Sequence, residues 1–273
     1  MQRARMVPRG DAAARELHVI EAQDLTRTFD SVAAVTDLTF SVAPGEILGF
    51  LGPNGAGKST TVKMLTGMLH PTRGTARVAG FDVAAQPLEV KRRLGYVPES
   101  GAVYDNLSAA EYLELVASLH HLPRTRAAQR ADELLELFDL IGDRDRRIAE
   151  FSKGMRQKVL LSAALLPNPE VLFLDEPLTG LDANAALVVK ELLRSLAGQG
   201  KTIFFCSHIL EVVERICSRI IIIDKGRLTV EGRAADICRT TGSATLEEAF
   251  SRLTGTRDVA AVTRDFLAAL EDR

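Results

Sequence analysis

Apolar residues arrive along this chain in two textures. The first is short continuous runs: ILGFL (47–51), VLFLD (171–175), TIFFC (202–206) and RIIIID (219–224). Such runs fit strands buried on both faces. The second is apolar spacing of three and four. STTVKMLTGML (59–69) places Val62, Leu65, Met68 and Leu69 on one helical face, and ANAALVVKELLRSLAG (183–198) repeats the pattern. Strands alternating with helices predict an α/β fold around a mostly parallel sheet. HVIEAQDL (18–25) and AVTDLTFSV (34–42) mix β-branched and polar residues, as half-exposed strands do. PTRG leads into a further short strand, TARVAG, and KG turns RIIIID back into RLTV.

Between about 99 and 159 the alternation stops. LSAAEYLELVASLHHL and RAAQRADELLELFDLIG are amphipathic helices with no strand between them, so this stretch reads as a helical insert. Beyond 238 two more helical faces follow, Leu246, Ala249, Phe250 and Leu253, then Val259, Val262, Phe266 and Leu270. The division is therefore a loose tail over 1–17, a main domain over 18–237, and a C-terminal helical extension over 238–273.

Charge and cysteines narrow the class. The net charge of −2 lacks the basic excess of a nucleic-acid-binding domain. The KRR at 91–93 and RDRR at 144–147 read as solvated faces, and the His120–His121 pair as a polar helix end. Three scattered cysteines, Cys206, Cys217 and Cys238, point to a reducing compartment and no metal site. No apolar run approaches the 18 or so residues of a membrane span, and the basic start lacks the apolar core of a signal peptide.

Chemistry is concentrated in GPNGAGKS (52–59), which fits G-x-x-x-x-G-K-S/T. It follows a predicted strand and opens a predicted helix, the context that the motif requires. Gly52, Gly55 and Gly57 let the backbone curl so that N–H groups converge on phosphate oxygens. Lys58 reaches the outer phosphates, and the Ser59 hydroxyl suits Mg²⁺. VLFLDE then puts Asp175 and Glu176 at the end of a buried strand, where ligands of such sheets bind. Asp175 is placed to hold the Mg²⁺ shell and Glu176 to polarise an attacking water. His208 follows another strand. Spacing alone leaves it as either a surface residue or a terminal-phosphate contact.

FSKGMRQK (151–158) poses a separate question. Ser152 is a good N-cap, and Met155, Val159, Leu160 and Ala163 have helical spacing. Yet the first two turns carry Lys153, Arg156 and Lys158, where the helix dipole favours acids. Negative charge from elsewhere is implied.

These pieces in this order resemble the ATP-binding cassette family. The glycine loop, FSKGMRQK, VLFLDEP, GLD (180–182) and SH (207–208) match its motif series over roughly residues 18–237. The resemblance implies a P-loop NTPase with a RecA-like parallel sheet core, an antiparallel β subdomain and a helical signature subdomain. It implies ATP contacts along Gly52, Pro53, Asn54, Gly55, Ala56, Gly57, Lys58, Ser59 and Thr60. Phe29 matches the aromatic that stacks on adenine; read by itself it serves equally as a core phenylalanine. Ser59, Glu99 and Asp175 match the Mg²⁺ shell, Glu176 and His208 the hydrolytic pair. In this family two cassettes pair head to tail, so Ser152 and Gly154 would face ATP bound by a second chain. Asp182 would link the two sites.

The sequence departs from the common pattern at Lys153, Met155 and Leu178. It also places Glu99 where glutamine is usual, and an ionised glutamate cannot donate a hydrogen bond. YVPE, SKGM and SATLEEAFSRLTG together resemble the ATPases of ABC-2-type exporters. That resemblance implies an ATP-hydrolysing subunit, cytoplasmic and peripheral on the membrane, paired as a dimer and working with a separate polytopic permease. The alternatives are a non-transport cassette ATPase acting on ribosomes or DNA, and a P-loop nucleotide-binding regulator. The first usually carries two cassettes or long coiled-coil inserts, and the second lacks the FSKGMRQK segment.

Overall fold

A computed structural model describes residues 18–100 and 103–255. The tail over 1–17 and the face built on Val259, Val262, Phe266 and Leu270 lie outside the described residues. Strands β1 (Ile20–Phe29) and β2 (Val32–Val42) form a hairpin. With β4 (Arg73–Val78) and β5 (Phe81–Asp82) they make an antiparallel sheet of order β2-β1-β4-β5.

The second sheet holds the buried runs. It comprises β3 (Ile47–Leu51), β6 (Leu94–Val97), β7 (Val171–Asp175), β8 (Thr202–Cys206), β9 (Arg219–Asp224) and β10 (Arg227–Gly232). Their order is β10-β9-β3-β8-β7-β6, parallel except for β10. Every residue of β3, β7 and β8 is buried, as continuous apolar runs require of central strands. Phe204 joins the layers, its ring centroid lying 4.9 Å from that of Phe50 and 5.3 Å from that of Phe173, with Phe40 of the other sheet at 6.2 Å. Each such buried side chain contributes about 1.5–3 kcal/mol. Arg219 clamps the two sheets at their edge: its Nε donates to Glu46 Oε1 at 2.6 Å, and its other nitrogens reach Glu231 and the Ser41 carbonyl.

Helix α1 (Lys58–Leu65) follows β3, and α2 (Pro87–Arg93) precedes β6. Helices α3 (Ala109–Leu119), α4 (Arg124–Leu137) and α5 (Lys153–Leu165) form the helical insert. Helix α6 (Ala183–Gly198) lies between β7 and β8, and α7 (Leu210–Ile216) follows β8. Helices α8 (Ala234–Thr241) and α9 (Leu246–Thr254) end the described chain.

Several sequence expectations shift. Helix α1 stops at Leu65: Gly67 takes a φ of +67°, and the N–H groups of Met68 and Leu69 both turn back to the Lys63 carbonyl. Met68 is consequently 52% exposed, off the Val62–Leu65 face. The stretch 81–98, unassigned by pattern, supplies β5, α2 and the edge strand β6. The KRR run is not simply solvated, because Arg93 bonds Glu89 at 2.8 Å and lies 4.0 Å over the Phe81 ring. Residue 238, the anticipated start of the extension, lies inside α8, and Ile237, Leu246 and Ala249 belong to the same core as the sheet.

Candidate active site

The parallel strands β3, β7 and β8 direct their C-terminal ends to one edge of the sheet, and a cleft of about 730 Å³ opens there. The loop after β3 forms its floor. Gly57, with a φ of +103°, is the N-cap residue of α1, and a side chain there would strike the Ala34 carbonyl. Gly52 packs so closely on the Ile223 carbonyl that no Cβ fits. Gly226 N–H ties the loop to the β9–β10 turn through the Ala56 carbonyl at 3.0 Å. The start of α1 carries no acidic residue and no side-chain cap, so its N–H groups remain donors toward the cleft. Lys58 Nζ bends over the loop, donating to the carbonyls of Gly52 at 2.6 Å and Pro53 at 3.1 Å.

Opposite the loop stand the acids. Asp175, only 4% exposed, ends β7 beside Cys206 of β8. Burial pushes its carboxyl up to about 6, with Glu99 and Glu176 adding like charge and Lys58 opposing. Glu176 turns the chain sharply, at a φ of +53°, and its N–H donates to the Cys206 carbonyl at 2.9 Å. Its Oε2 lies 2.9 Å from His208 Nδ1 and accepts from Ser207 Oγ at 3.3 Å. The Glu176 side chain is 11% exposed, that of His208 74%. Gly52, Pro53, Asn54, Gly55, Gly57, Lys58, Ser59, Thr60, Glu99, Asp175, Glu176 and His208 thus converge on one cleft.

The remaining candidates lie elsewhere. Phe29 is no core residue: it is 43% exposed near the β1–β2 turn, with the Arg27 guanidinium 4.6 Å over its ring. Ser152 caps α5, accepting from Met155 N–H at 3.2 Å. Gly154 abuts the Gly180 carbonyl so tightly that a Cβ would collide with it. Asp182 caps α6 through the Ala185 N–H at 2.9 Å, and that bond holds its carboxyl below the usual carboxylate range. Neither Ser152, Gly154 nor Asp182 lines the cleft. Two of the unexplained cations of α5 find acids in their own chain, Arg156 on Asp105 at 2.9 Å and Lys158 near Asp182 at 3.8 Å. Lys153 has no acidic partner among the described residues, and its stem lies against Gly180.

Sequence reasoning passed over four cleft residues: Ala34, Ser207, Leu210 and Phe250. Ser207 was legible in the Ser-His pair. Phe250 was not, because its helical face gave no sign of where α9 docks.

Comparison with known proteins agrees with this geometry. Residues 35–179 match the family described as ABC transporter. The daunorubicin resistance ATP-binding protein DrrA3 of Streptomyces coeruleorubidus is 42% identical over 209 residues, which cover 77% of this chain and 66% of that protein. The ABC transporter ATP-binding protein NatA of Bacillus subtilis is 38% identical over 220 residues, covering 78% of this chain and 89% of that one. Nod factor export ATP-binding protein I of Burkholderia thailandensis is 39% identical over 213 residues, covering 78% of this chain and 70% of that protein. A solved ATP-binding subunit of an ABC transporter superposes with a TM-score of 0.82 at 34% identity, over 86% of this chain and 99% of its own. A glycine loop between strand and helix, an Asp-Glu pair at a buried strand's end, the Ser152-capped helix α5 and this kinship agree: the chain belongs to the ABC transporter family, on the branch of ATP-binding proteins that DrrA3, NatA and the Nod factor export protein represent.

Proposed function

We propose that this chain is the ATP-hydrolysing subunit of an exporter whose pore is a separate polytopic permease. The observation that carries the hydrolytic part is the placement of Glu176: half-buried, fixed by its own N–H on Cys206, and facing the same cleft as Lys58. Gly52 to Thr60 wrap the phosphates of ATP, Glu176 accepts a proton from the attacking water, and His208 contacts the terminal phosphate. Phe29 offers its ring to the base.

Hard oxygen donors and surplus negative charge beside Ser59 suit Mg²⁺. Among the described residues no three His, Cys, Asp or Glu side chains are grouped to hold a metal by themselves. That fits an ion bound by one or two carboxylates and completed by nucleotide phosphates. Ser59, Asp175 and Glu99 would hold it, and when bound it neutralises charge on the phosphates.

Ser152, Gly154 and Asp182 form a second surface, apart from the cleft, that faces the ATP of a second copy or a paired cassette. Glu99, on the loop leading into the helical insert, links the cleft to the permease. The export role rests on relatives named for daunorubicin resistance and Nod factor export. No described helix is long and apolar enough to cross a membrane. Affinity purification of the full chain from gently solubilised membranes tests this reading. A polytopic membrane protein should co-purify in stoichiometric amount; recovery with ribosomes or DNA instead would favour a non-transport ATPase.

A further inference from the structure

Phe250 is the one phenyl ring among the described residues that line the cleft, and it belongs to α9, far outside the matched stretch 35–179. The sequence brings it there by simple means. Thr245 caps α9 by accepting from Glu248 N–H at 3.2 Å. Leu246 and Ala249, fully buried, anchor the helix, and Phe250 and Leu253 extend the same apolar face. That face packs toward β9 and α7. Phe250 thereby lines the same cleft as Ser207, His208 and Leu210, and Leu210 opens α7, the helix against which α9 packs.

The Ser207–Leu210 segment is weakly held from within. Helix α7 has only seven residues, and its cap position, Ile209, makes no side-chain cap bond. Ser207 Oγ accepts from Ile209 N–H at 3.1 Å and reaches Glu176 at 3.3 Å. His208 is largely exposed, and its Nδ1 lies 2.9 Å from Glu176 Oε2. On the other side, Leu210 and Phe250 pack against the same core.

We propose that Phe250 is a positioning residue: it backs the Ser207–Leu210 loop and so keeps His208 on Glu176. The inference rests on the assignment of Glu176 and His208 to hydrolysis. It gives α9 a part in turnover, although α9 contributes no polar group to the cleft.

The test is a double-mutant cycle in the full chain, with ATPase rate and ATP affinity measured separately. Phe250→Ala should lower turnover at saturating ATP on the order of ten- to a hundredfold, the scale of a misplaced catalytic group. Affinity for ATP should stay within about twofold, since the phosphate loop is not disturbed. Phe250→Leu should recover most of the rate. In His208→Ala the added Phe250→Ala should cost almost nothing more, because both changes act through one group. Leu253→Ala, on the same face but outside the cleft, should keep its rate at a comparable loss of melting temperature. If Phe250→Ala fails to fold, Phe250→Val takes its place in the cycle. Full additivity with His208→Ala, or an equal rate loss in Leu253→Ala, would reduce Phe250 to plain packing. Normal turnover in His208→Ala would instead overturn the site assignment beneath it.

Discussion

His208 Nδ1 and Glu176 Oε2 lie 2.9 Å apart, joining the loop after β8 to the turn after β7. Both residues follow neighbouring parallel strands, β8 and β7, so the contact lies between two segments that leave the same sheet edge. The two side chains differ in exposure, the glutamate sheltered and the histidine open to solvent. A proton acceptor in a sheltered place with an exposed neighbour is suited to a reaction whose substrate arrives from the open side.

Glu176→Gln should therefore retain ATP and lose turnover by about 10²–10⁴-fold, the usual share of a general base. Glutamine keeps the shape and the Ser207 contact but is a far poorer base. Equilibrium nucleotide binding and phosphate release, measured on the same preparation, check this; turnover near wild type refutes the assignment.

Lys58→Ala should weaken ATP binding tenfold or more. Its ammonium sits over the loop, on the carbonyls of Gly52 and Pro53, within the cleft where phosphates are proposed to lie. Hydrogen bonds to charged groups contribute about 1.5–3 kcal/mol each. Titration with ATP at fixed Mg²⁺ measures the change, and an unaltered dissociation constant refutes it.

Asp175 makes a stability prediction. Burial and like charge raise its carboxyl to about 6 in the folded chain, above the ordinary value of 3.8. A group raised in this way favours folding while protonated, and that advantage is lost as pH rises through about 6. At pH 7.5 the ionised group should cost about 1–3 kcal/mol without nucleotide or Mg²⁺. Asp175→Asn should accordingly stabilise the chelator-treated protein at pH 7.5, with the gain fading toward pH 4. Urea midpoints at the two pH values decide it, and a gain independent of pH would contradict the charge argument.

The dimer reading calls for chains with complementary defects. Gly154→Asp is a poor choice, because any Cβ at Gly154 strikes the Gly180 carbonyl within its own chain. Ser152→Asp is better: Ser152 is exposed, and aspartate is an equally good N-cap. Lys58→Ala chains mixed with Ser152→Asp chains, both also carrying Glu176→Gln, should trap ATP that neither trap-bearing parent holds. In a mixed dimer one site pairs an intact Lys58 with an intact Ser152. Trapped ATP no greater than the sum of the parents, with mixed dimers shown to form, would place the signature's action within its own chain.

Much of this was legible beforehand because it rests on local chemistry. The glycine loop, the buried runs and the cap at Ser152 are decided within a few residues, and all stand where the pattern put them; that Asp182 caps α6 is a finding of the structure. What escaped depends on distant partners. Strand β6 is four residues long and carries no run of its own; it is a strand because β7 pairs with it. Arg156 looked unmatched because its acid, Asp105, lies 51 positions away. Met68 had the right spacing, but Gly67 ended the helix first. Phe250 showed its helical face and not its address.

The contact of Gly154 with Gly180 carries a mechanical consequence. Two missing side chains let the start of α5 seat against the turn before α6, while Gln157 Nε2 holds the Pro177 carbonyl at 3.0 Å. The start of α5 is thus seated on the segment 177–180, which leads from the Asp175–Glu176 strand end to the Asp182 turn. That seating gives a short covalent and packed path, from the exposed Ser152 end of α5 to the residues beside Glu176, along which a displacement of the helix would have to be accommodated.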